Sequence, residues 1–309
     1  MNRNITEFLK IPESIRVPYF GGKLYNAFVN LDNKSILKEK LPDNPLNTEQ
    51  RKETVTVSLT SFPARINYVH LAIKSLMLQR YKPDRIVLWL AEGQFPDKKL
   101  PDSLTNLEKY GLEICWMKEN LYGHKKYYMQ IMNQKENELV ITYDDDLIYA
   151  PNSIEKLIRV HKKFPECIVC NRTQALRYDK NGNVVNPGRW STISDIGLKK
   201  PSFQLAPSTG GGCLYPYGAL SKDLLEINDI KEIALRGDDM WIMFVAVESN
   251  TKIIKTCKYH KSFSVLSDSQ EQQLSMGNII NNEYEDTLNR LIKKFPDAWH
   301  RIVTDTDVK

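Results

Sequence analysis

The run Leu139-Val140-Ile141-Thr142-Tyr143 passes without a break into Asp144, Asp145 and Asp146. A run of this length with no polar alternation reads as a strand covered on both faces, the kind found in parallel sheets. Three adjacent carboxylates repel one another and stay buried only beside a cation or strong donors. The fold must therefore bring one end of a core strand to a place that such a partner can reach. The simplest partner is a divalent metal, because carboxylate oxygens are hard ligands suited to Mg2+ and Mn2+, and Mg2+ commonly takes one or two protein carboxylates while substrate phosphates complete its shell. Continued strand geometry would turn Asp144 and Asp146 to one side as a metal pair and Asp145 to the other, toward another part of the ligand. The plainer alternative is a solvated loop or a helix cap, with Asp146 capping a helix in the Pro151-Asn152-Ser153 region.

Strands and helices alternate upstream of this run. Thr54 to Leu59 is rich in β-branched residues and reads as a buried strand; Ser61-Phe62-Pro63-Ala64-Arg65 follows as a loop, and Ile66, Val69, Ile73, Leu76 and Met77 recur at helical spacing through about Gln79. Arg85 to Leu90 and Leu112 to Trp116 are further strands, with a short helix near Ser103 to Tyr110 between them, and a basic helix from about His124 to Asn133 precedes the aspartates. This rhythm predicts βαβ units and an α/β fold with a mostly parallel sheet. In such sheets ligands bind beyond the carboxyl ends of the strands, so the Ser61 loop and the aspartates are expected on one rim. Downstream the pattern loosens. A helix over Ile154 to Lys163 and a strand over Ile168 to Asn171 lead into a turn-rich stretch from Arg172 to Lys200, then a Gly210-Gly211-Gly212 loop, an apolar helix ending near Val247 and a strand around Ile253 to Thr256.

Composition narrows the function classes. With 309 residues, 41% hydrophobic and 26% charged, the chain has ample material for a globular core. A formal charge of +5 suits a phosphate-bearing ligand or an anionic membrane surface and is too weak to argue for nucleic acid. No stretch approaches the roughly 20 apolar residues of a membrane span, and the amino terminus lacks the apolar core of a signal peptide; a cytoplasmic protein is expected, in peripheral contact with the inner face of a membrane. The five cysteines are widely spaced and lie mostly in apolar runs, so Cys167-Ile168-Val169-Cys170 reads as a packed strand, not a zinc or redox site.

A strand ending in three aspartates, then a glycine-rich segment, then the acidic pair Asp238-Asp239 before an apolar helix, resembles the GT-A class of nucleotide-sugar glycosyltransferases over roughly Val55 to Ser264. The phrases SLTSFPARI, YKPDRIVLWL, ITYDDDLIY and RGDDMW are similar to those of bacterial transferases that build capsules and O-antigens. The resemblance implies a GT-A, Rossmann-like sheet flanked by helices with an acceptor-side subregion. It divides the chain into an appended segment (1–53), a nucleotide-sugar-binding half (54–150), an acceptor and catalytic half (151–265) and a helical tail (266–309).

The same resemblance assigns roles. Asp144 and Asp146 would hold Mn2+ or Mg2+, with His260 as a further ligand, and Asp145 would lie near the ribose or donor sugar. Thr60, Ser61, Phe62 and Arg65 would frame the nucleotide, and Lys125 would face it, while Lys126 reads more readily as part of a solvated face. Gly211 and Gly212 would let the backbone approach the donor sugar, since glycine has no Cβ and tolerates positive φ. An acidic residue at the start of the acceptor-side helix, Asp239 in preference to Asp238, would take the proton of the acceptor hydroxyl, and Trp241 would stack on a sugar ring. The plainer reading of that pair is a helix cap with Trp241 in the core. The expected reaction is metal-dependent transfer of a sugar from a nucleoside diphosphate donor to a hydroxyl of a bacterial surface glycan or lipid-linked oligosaccharide, with inversion as the choice and retention left open, since His260 as a ligand would fit retaining relatives equally well. Two other readings compete. A sugar nucleotidyltransferase would want a glycine-rich phosphate loop after the first strand, where SFPAR stands, and a non-catalytic carbohydrate-binding scaffold would not need both acidic sites.

Overall fold

The computed structural model describes residues 35, 37–192, 194–258, 264–265 (backbone) and 283–305. The first strand, β1 (Thr54–Thr60), is followed by helix α1 (Val69–Met77), strand β2 (Arg85–Ala91), a single helical turn α2 (Asp102–Thr105) and strand β3 (Leu112–Met117). Helix α3 (Lys125–Met132) leads to β4 (Glu138–Tyr143), a two-residue strand β5 (Leu147–Ile148) and helix α4 (Ser153–His161). Short strands β6 (Ile168–Cys170), β7 (Thr173–Ala175), β8 (Leu205–Pro207) and β9 (Gly211–Tyr215) come next. Helices α5 (Ile227–Ile233) and α6 (Asp238–Glu248), strands β10 (Ile253–Lys255) and β11 (Ser264–Val265), and helices α7 (Glu283–Lys294) and α8 (Pro296–Thr304) complete the described elements.

Seven strands form the central sheet in the order β10-β6-β9-β4-β1-β2-β3. β1 pairs in parallel with both β2 and β4, β2 with β3, and β6 with β10, as the βαβ rhythm predicts. β9 alone in this sheet runs antiparallel to its neighbours β4 and β6. Alternate residues of each central strand feed two separate cores, which is why the strands show no polar alternation in sequence. On one face Val55, Val57, Leu59, Ile86, Leu88, Leu139 and Ile141 pack with α1 and α4. On the other, Val87, Trp89 and Val140 pack with α3, α6 and the C-terminal helices. Helix α6 is wedged within this second layer: every residue from Met240 to Val247 is buried.

One expectation changes here. The glycine triplet is not a loop, because Gly211 and Gly212 belong to β9 and all five residues of that strand are buried. Pairing with β4 shifts register between Thr142 and Tyr143, where Gly212 adopts φ 96° as the extra residue of a bulge. A Cβ at Gly212 would lie 2.6 Å from Asn171 Nδ2 and 2.9 Å from the Tyr143 ring, so glycine is required there by packing. The cysteines are free, and Cys170 and Cys213 face each other across β6 and β9 with sulfurs 3.3 Å apart.

Candidate active site

Because β9 is reversed, its beginning shares a rim with the ends of β4, β6 and β1. A cleft of about 560 Å³ opens along this rim and is lined by Thr60, Ser61, Phe62 and Arg65 after β1, by Asp144 to Asp146 after β4, by Thr209 and Gly210 before β9, and by Lys125, Lys126, Asp238 and Asp239 from the two helix starts. Segments more than a hundred residues apart in sequence thus meet at one place.

Strand geometry ends at Tyr143, so the aspartates do not alternate as a strand would have them. Asp145 and Asp146 both reach Arg65, whose Nη1 lies 3.0 Å from Asp145 Oδ1 and 3.1 Å from Asp146 Oδ2. Ser61 Oγ donates to the other oxygen of Asp145 at 2.6 Å. Burial nevertheless leaves the Asp145 carboxyl above its ordinary value, with Arg65 and Ser61 offsetting part of the cost. Asp146 is pushed up to about 6 by burial and by the nearby Asp144 charge. Asp144 instead turns toward Lys126, 2.8 Å away, and its side chain stays 42% exposed. The turn that carries it is fastened from below: the buried Tyr149 hydroxyl accepts from the Asp144 amide at 2.9 Å and donates to the Gly210 carbonyl at 2.8 Å. Gly210 supplies the space, since a Cβ there would lie 1.6 Å from Asp144 Oδ2.

Lys126, read from sequence as solvated, is buried and central. Its Nζ bridges Asp144 at 2.8 Å and Asp238 at 2.9 Å, and although burial alone would lower its pKa, these carboxylates together with Asp239 raise it. Lys125 faces the same cleft with neutral company, donating to Gln94 Oε1 at 3.0 Å and Asn120 Oδ1 at 2.9 Å. Burial lowers its pKa to about 8. An ammonium held only by neutral oxygens gains more from a phosphate than one already paired.

The second acidic pair forms the first turn of α6 and is locked to Thr209. The Thr209 amide donates to Asp239 Oδ1 at 2.9 Å, and its hydroxyl lies 2.7 Å from both Asp238 Oδ2 and Asp239 Oδ1. One hydroxyl proton serves one carboxylate at a time, so the other contact is favourable only when a carboxyl carries a proton. Burial and the Asp238 charge push Asp239 up to about 7. Asp238 goes the other way: burial would raise it, but Lys126 holds it below the usual carboxylate range. Neighbouring carboxylates with separated pKa values are the pattern of an acid–base site. His124 is buried and, its pKa lowered by that burial, neutral. Its Nε2 donates to the Ala234 carbonyl at 2.8 Å and its Nδ1 accepts from Tyr127 at 2.6 Å, which ties the start of α3 to the segment leading into α6.

Three expected site residues fall elsewhere. Trp241 is fully buried and packs edge-on against Phe295 with ring centroids 5.8 Å apart, so it cannot offer a face to a sugar. Gly211 and Gly212 lie within the sheet behind the cleft, and Gly210 is the glycine at its surface. His260 lies outside the described residues. Conversely, Thr209, Tyr122, Arg172 and Arg236 line the cleft and were not singled out from sequence. Thr209 had no local signal, sitting in a Pro-Ser-Thr-Gly turn, whereas Arg236 stood two positions before the acidic pair.

Comparison with known proteins places this geometry. The chain belongs to glycosyl transferase family 2, whose model matches residues 64–222, and it is a glycosyltransferase with the GT-A fold. No curated protein matches it. Among solved structures, the mannosyltransferase PcManGT from Pyrobaculum calidifontis, in complex with GDP-Man and Mn2+, aligns over 91% of this chain and 76% of its own at 12% identity and a TM-score of 0.46. TarS 1-349 of S. aureus in complex with UDP aligns over 65% of this chain and 57% of its own, at 14% identity and a TM-score of 0.41. The same TarS fragment in a second structure aligns over 78% and 72%, also at 14% and 0.41.

Proposed function

We propose that this glycosyltransferase is metal-dependent and inverting, and that it moves a sugar from a nucleoside diphosphate donor to a hydroxyl of a bacterial surface glycan of the capsule or O-antigen kind. Membership of glycosyl transferase family 2 removes the nucleotidyltransferase and scaffold alternatives. The observation that carries the finer reading is the Lys126 bridge, which sets the aspartates at the end of β4 and the acidic pair of α6 on one cleft.

The donor set suits a divalent ion in one specific way. Among the described residues no three His, Cys, Asp or Glu side chains converge as an all-protein metal site. Asp144 and Asp146 are close enough to raise the latter's pKa, and Asp144 is open to the cleft; two carboxylates are what Mg2+ or Mn2+ takes when phosphate oxygens complete the shell. Such an ion would neutralise charge developing on the leaving diphosphate. Arg65, 5.4 Å from the Phe62 ring, closes the nucleotide end of the cleft, and Lys125 offers its ammonium to a phosphate. Asp239, carrying no ion pair of its own among the described residues and titrating near neutrality, takes the proton of the incoming hydroxyl, while Asp238 stays ionised against Lys126. A base on the acceptor side, with no second carboxylate nucleophile needed, favours inversion. A cytoplasmic site of action beside an anionic membrane surface suits the charge of +5.

Calorimetric titration of UDP and GDP in the presence of Mn2+ tests the donor and metal assignments. Asp144→Asn and Asp146→Asn are expected to abolish Mn2+-dependent binding with the melting temperature kept, and excess EDTA to stop turnover. Unchanged affinity in both variants, or full activity in the chelator, overturns the metal assignment.

A further inference from the structure

We infer that the acceptor carries an oxyanion, a carboxylate or a phosphate, close to the hydroxyl that reacts, and that Arg172 and Arg236 receive it. This rests on the reading of the cleft as the site of glycosyl transfer.

The sheet order acts as a ruler. Thr60 and Ser61 stand at the end of β1, Asp144 at the end of the adjacent β4, and Arg172 just beyond the end of β6, with β9 between. Three strand spacings of about 4.8 Å put Arg172 roughly 14 Å along the rim from the nucleotide end, past the aspartates on the far side. A donor that lays its nucleoside against Ser61 and its diphosphate against Asp144 and Lys125 leaves this end of the cleft for the second substrate.

The charges there are not those of a sugar-only pocket. Four of the five carboxylates that line the cleft already have cationic neighbours: Arg65 serves Asp145 and Asp146, and Lys126 serves Asp144 and Asp238. Arg172 lines the cleft, is exposed, and makes no ion pair or side-chain hydrogen bond among the described residues. A guanidinium presented at the mouth of a cleft is shaped to receive the two oxygens of a carboxylate or phosphate at once.

Arg236 supplies the second observation. It stands two residues before Asp238 and lies over the Tyr122 ring, 5.4 Å from the centroid. Tyr122 holds φ at 47°, a left-handed conformation that a bulky residue rarely adopts and that tends to persist where function requires it. The next residue, Gly123, packs directly on Asp238: a Cβ there would be 3.0 Å from its carboxyl group. The Tyr122–Arg236 pair is thereby fixed beside the acid–base pair, offering an aromatic surface and a cation to whatever brings its hydroxyl to Asp239. A neutral glycan would use the ring and leave the exposed Arg172 guanidinium without a partner of matching charge among the described residues.

The test uses the full chain and begins with calorimetric titration of UDP and GDP in Mn2+. The protein holding the tighter nucleotide is then titrated, by ligand-observed NMR, with methyl glucuronide and glycerol phosphate against the neutral controls methyl glucoside and glycerol. Expected are binding of at least one anionic probe in preference to its neutral control, a loss of about tenfold or more in R172Q and R236Q, and unchanged nucleotide affinity in both variants. Which anionic probe binds tells carboxylate from phosphate. Equal binding of neutral and anionic probes, no binding of either anion, or anion affinity retained in both variants overturns the inference. Loss of nucleotide affinity in the variants also overturns it, by assigning the arginines to the donor diphosphate. Should neither nucleotide bind the wild type, the donor reading fails by itself, and the anion titration of the free protein against R172Q and R236Q still decides the arginine assignment.

Discussion

Replacing Asp239 with Asn separates the electrostatics of the acidic pair from its chemistry. The wild-type carboxyl, raised to about 7 by burial and the Asp238 charge, is costly to ionise in the folded protein. Relative to an ordinary value of about 3.9, that rise corresponds to about 4 kcal/mol at about 1.36 kcal/mol per pH unit. The folded-state pKa is the raised one, so the stability tied to the bound proton is complete below about pH 4 and is lost as pH climbs through about 7. Asn resembles the protonated acid and still accepts from the Thr209 amide, so the variant should not lose it. Its advantage over wild type should therefore grow by up to about 3 kcal/mol between pH 5 and pH 8. Lys126 screens the pair, and with half of that retained, about 1.5 kcal/mol, the melting temperature gap should widen by roughly 2–3 °C. Over the same range turnover should fall about 100-fold or more with nucleotide affinity kept, because the base has gone. Thermal melts across pH, with steady-state assays beside them, read both. A gap that stays flat with pH would refute the burial argument, and near-normal turnover would refute the assignment of the base.

Gly210→Ala places a methyl group where the Asp144 carboxylate now lies, and since that carboxylate is partly exposed it should swing aside: Mn2+-dependent nucleotide affinity is expected to drop about tenfold or more by calorimetry with little change in melting temperature. Trp241→Ala should destabilise by about 3–5 kcal/mol in denaturant titrations while leaving the acceptor KM of the folded fraction unchanged, as befits a core residue. Lys126→Met strands the Asp238 carboxylate and should cost about 3–5 kcal/mol near pH 7, whereas the half-exposed Asp144 can turn to solvent. Lys126 holds the Asp238 pKa down, so that cost should shrink in melts at lower pH, where the carboxyls protonate.

What could be read from the residues alone was whatever local order announces. Strands β1, β2 and β4 declared themselves because each is covered on both faces, and the aspartates stood out because nothing apolar could explain them. The acidic pair was recognisable at the start of a helix, although its partner Thr209 was not, since only the folded chain brings a Pro-Ser-Thr-Gly turn against α6. Directions failed where they depended on tertiary context. Lys125 and Lys126 are adjacent on one helix, and sequence offers no reason for the second to be the buried bridge. The glycines at 211 and 212 looked like a loop because the reversal of β9 and its bulge leave no periodic trace in so short a strand. Trp241 was set beside the site by its position in the chain, but the helical turn carries its ring round to Phe295.

The reversed strand has one further consequence. The excursion over residues 171–210 leaves the sheet beside β6 and comes back beside it, its ends held together by the bond from the Asn171 amide to the Gly212 carbonyl at 2.9 Å. Most of this detour is tied down, Gly197 and Ser202 bonding to β10, but its exposed turn over residues 179–183 can be lengthened or trimmed without disturbing the strands beneath. Doubling it would add only about 0.6 kcal/mol of closure entropy. Selection can in this way restyle what the enzyme decorates while the machinery that grips the activated sugar is inherited intact.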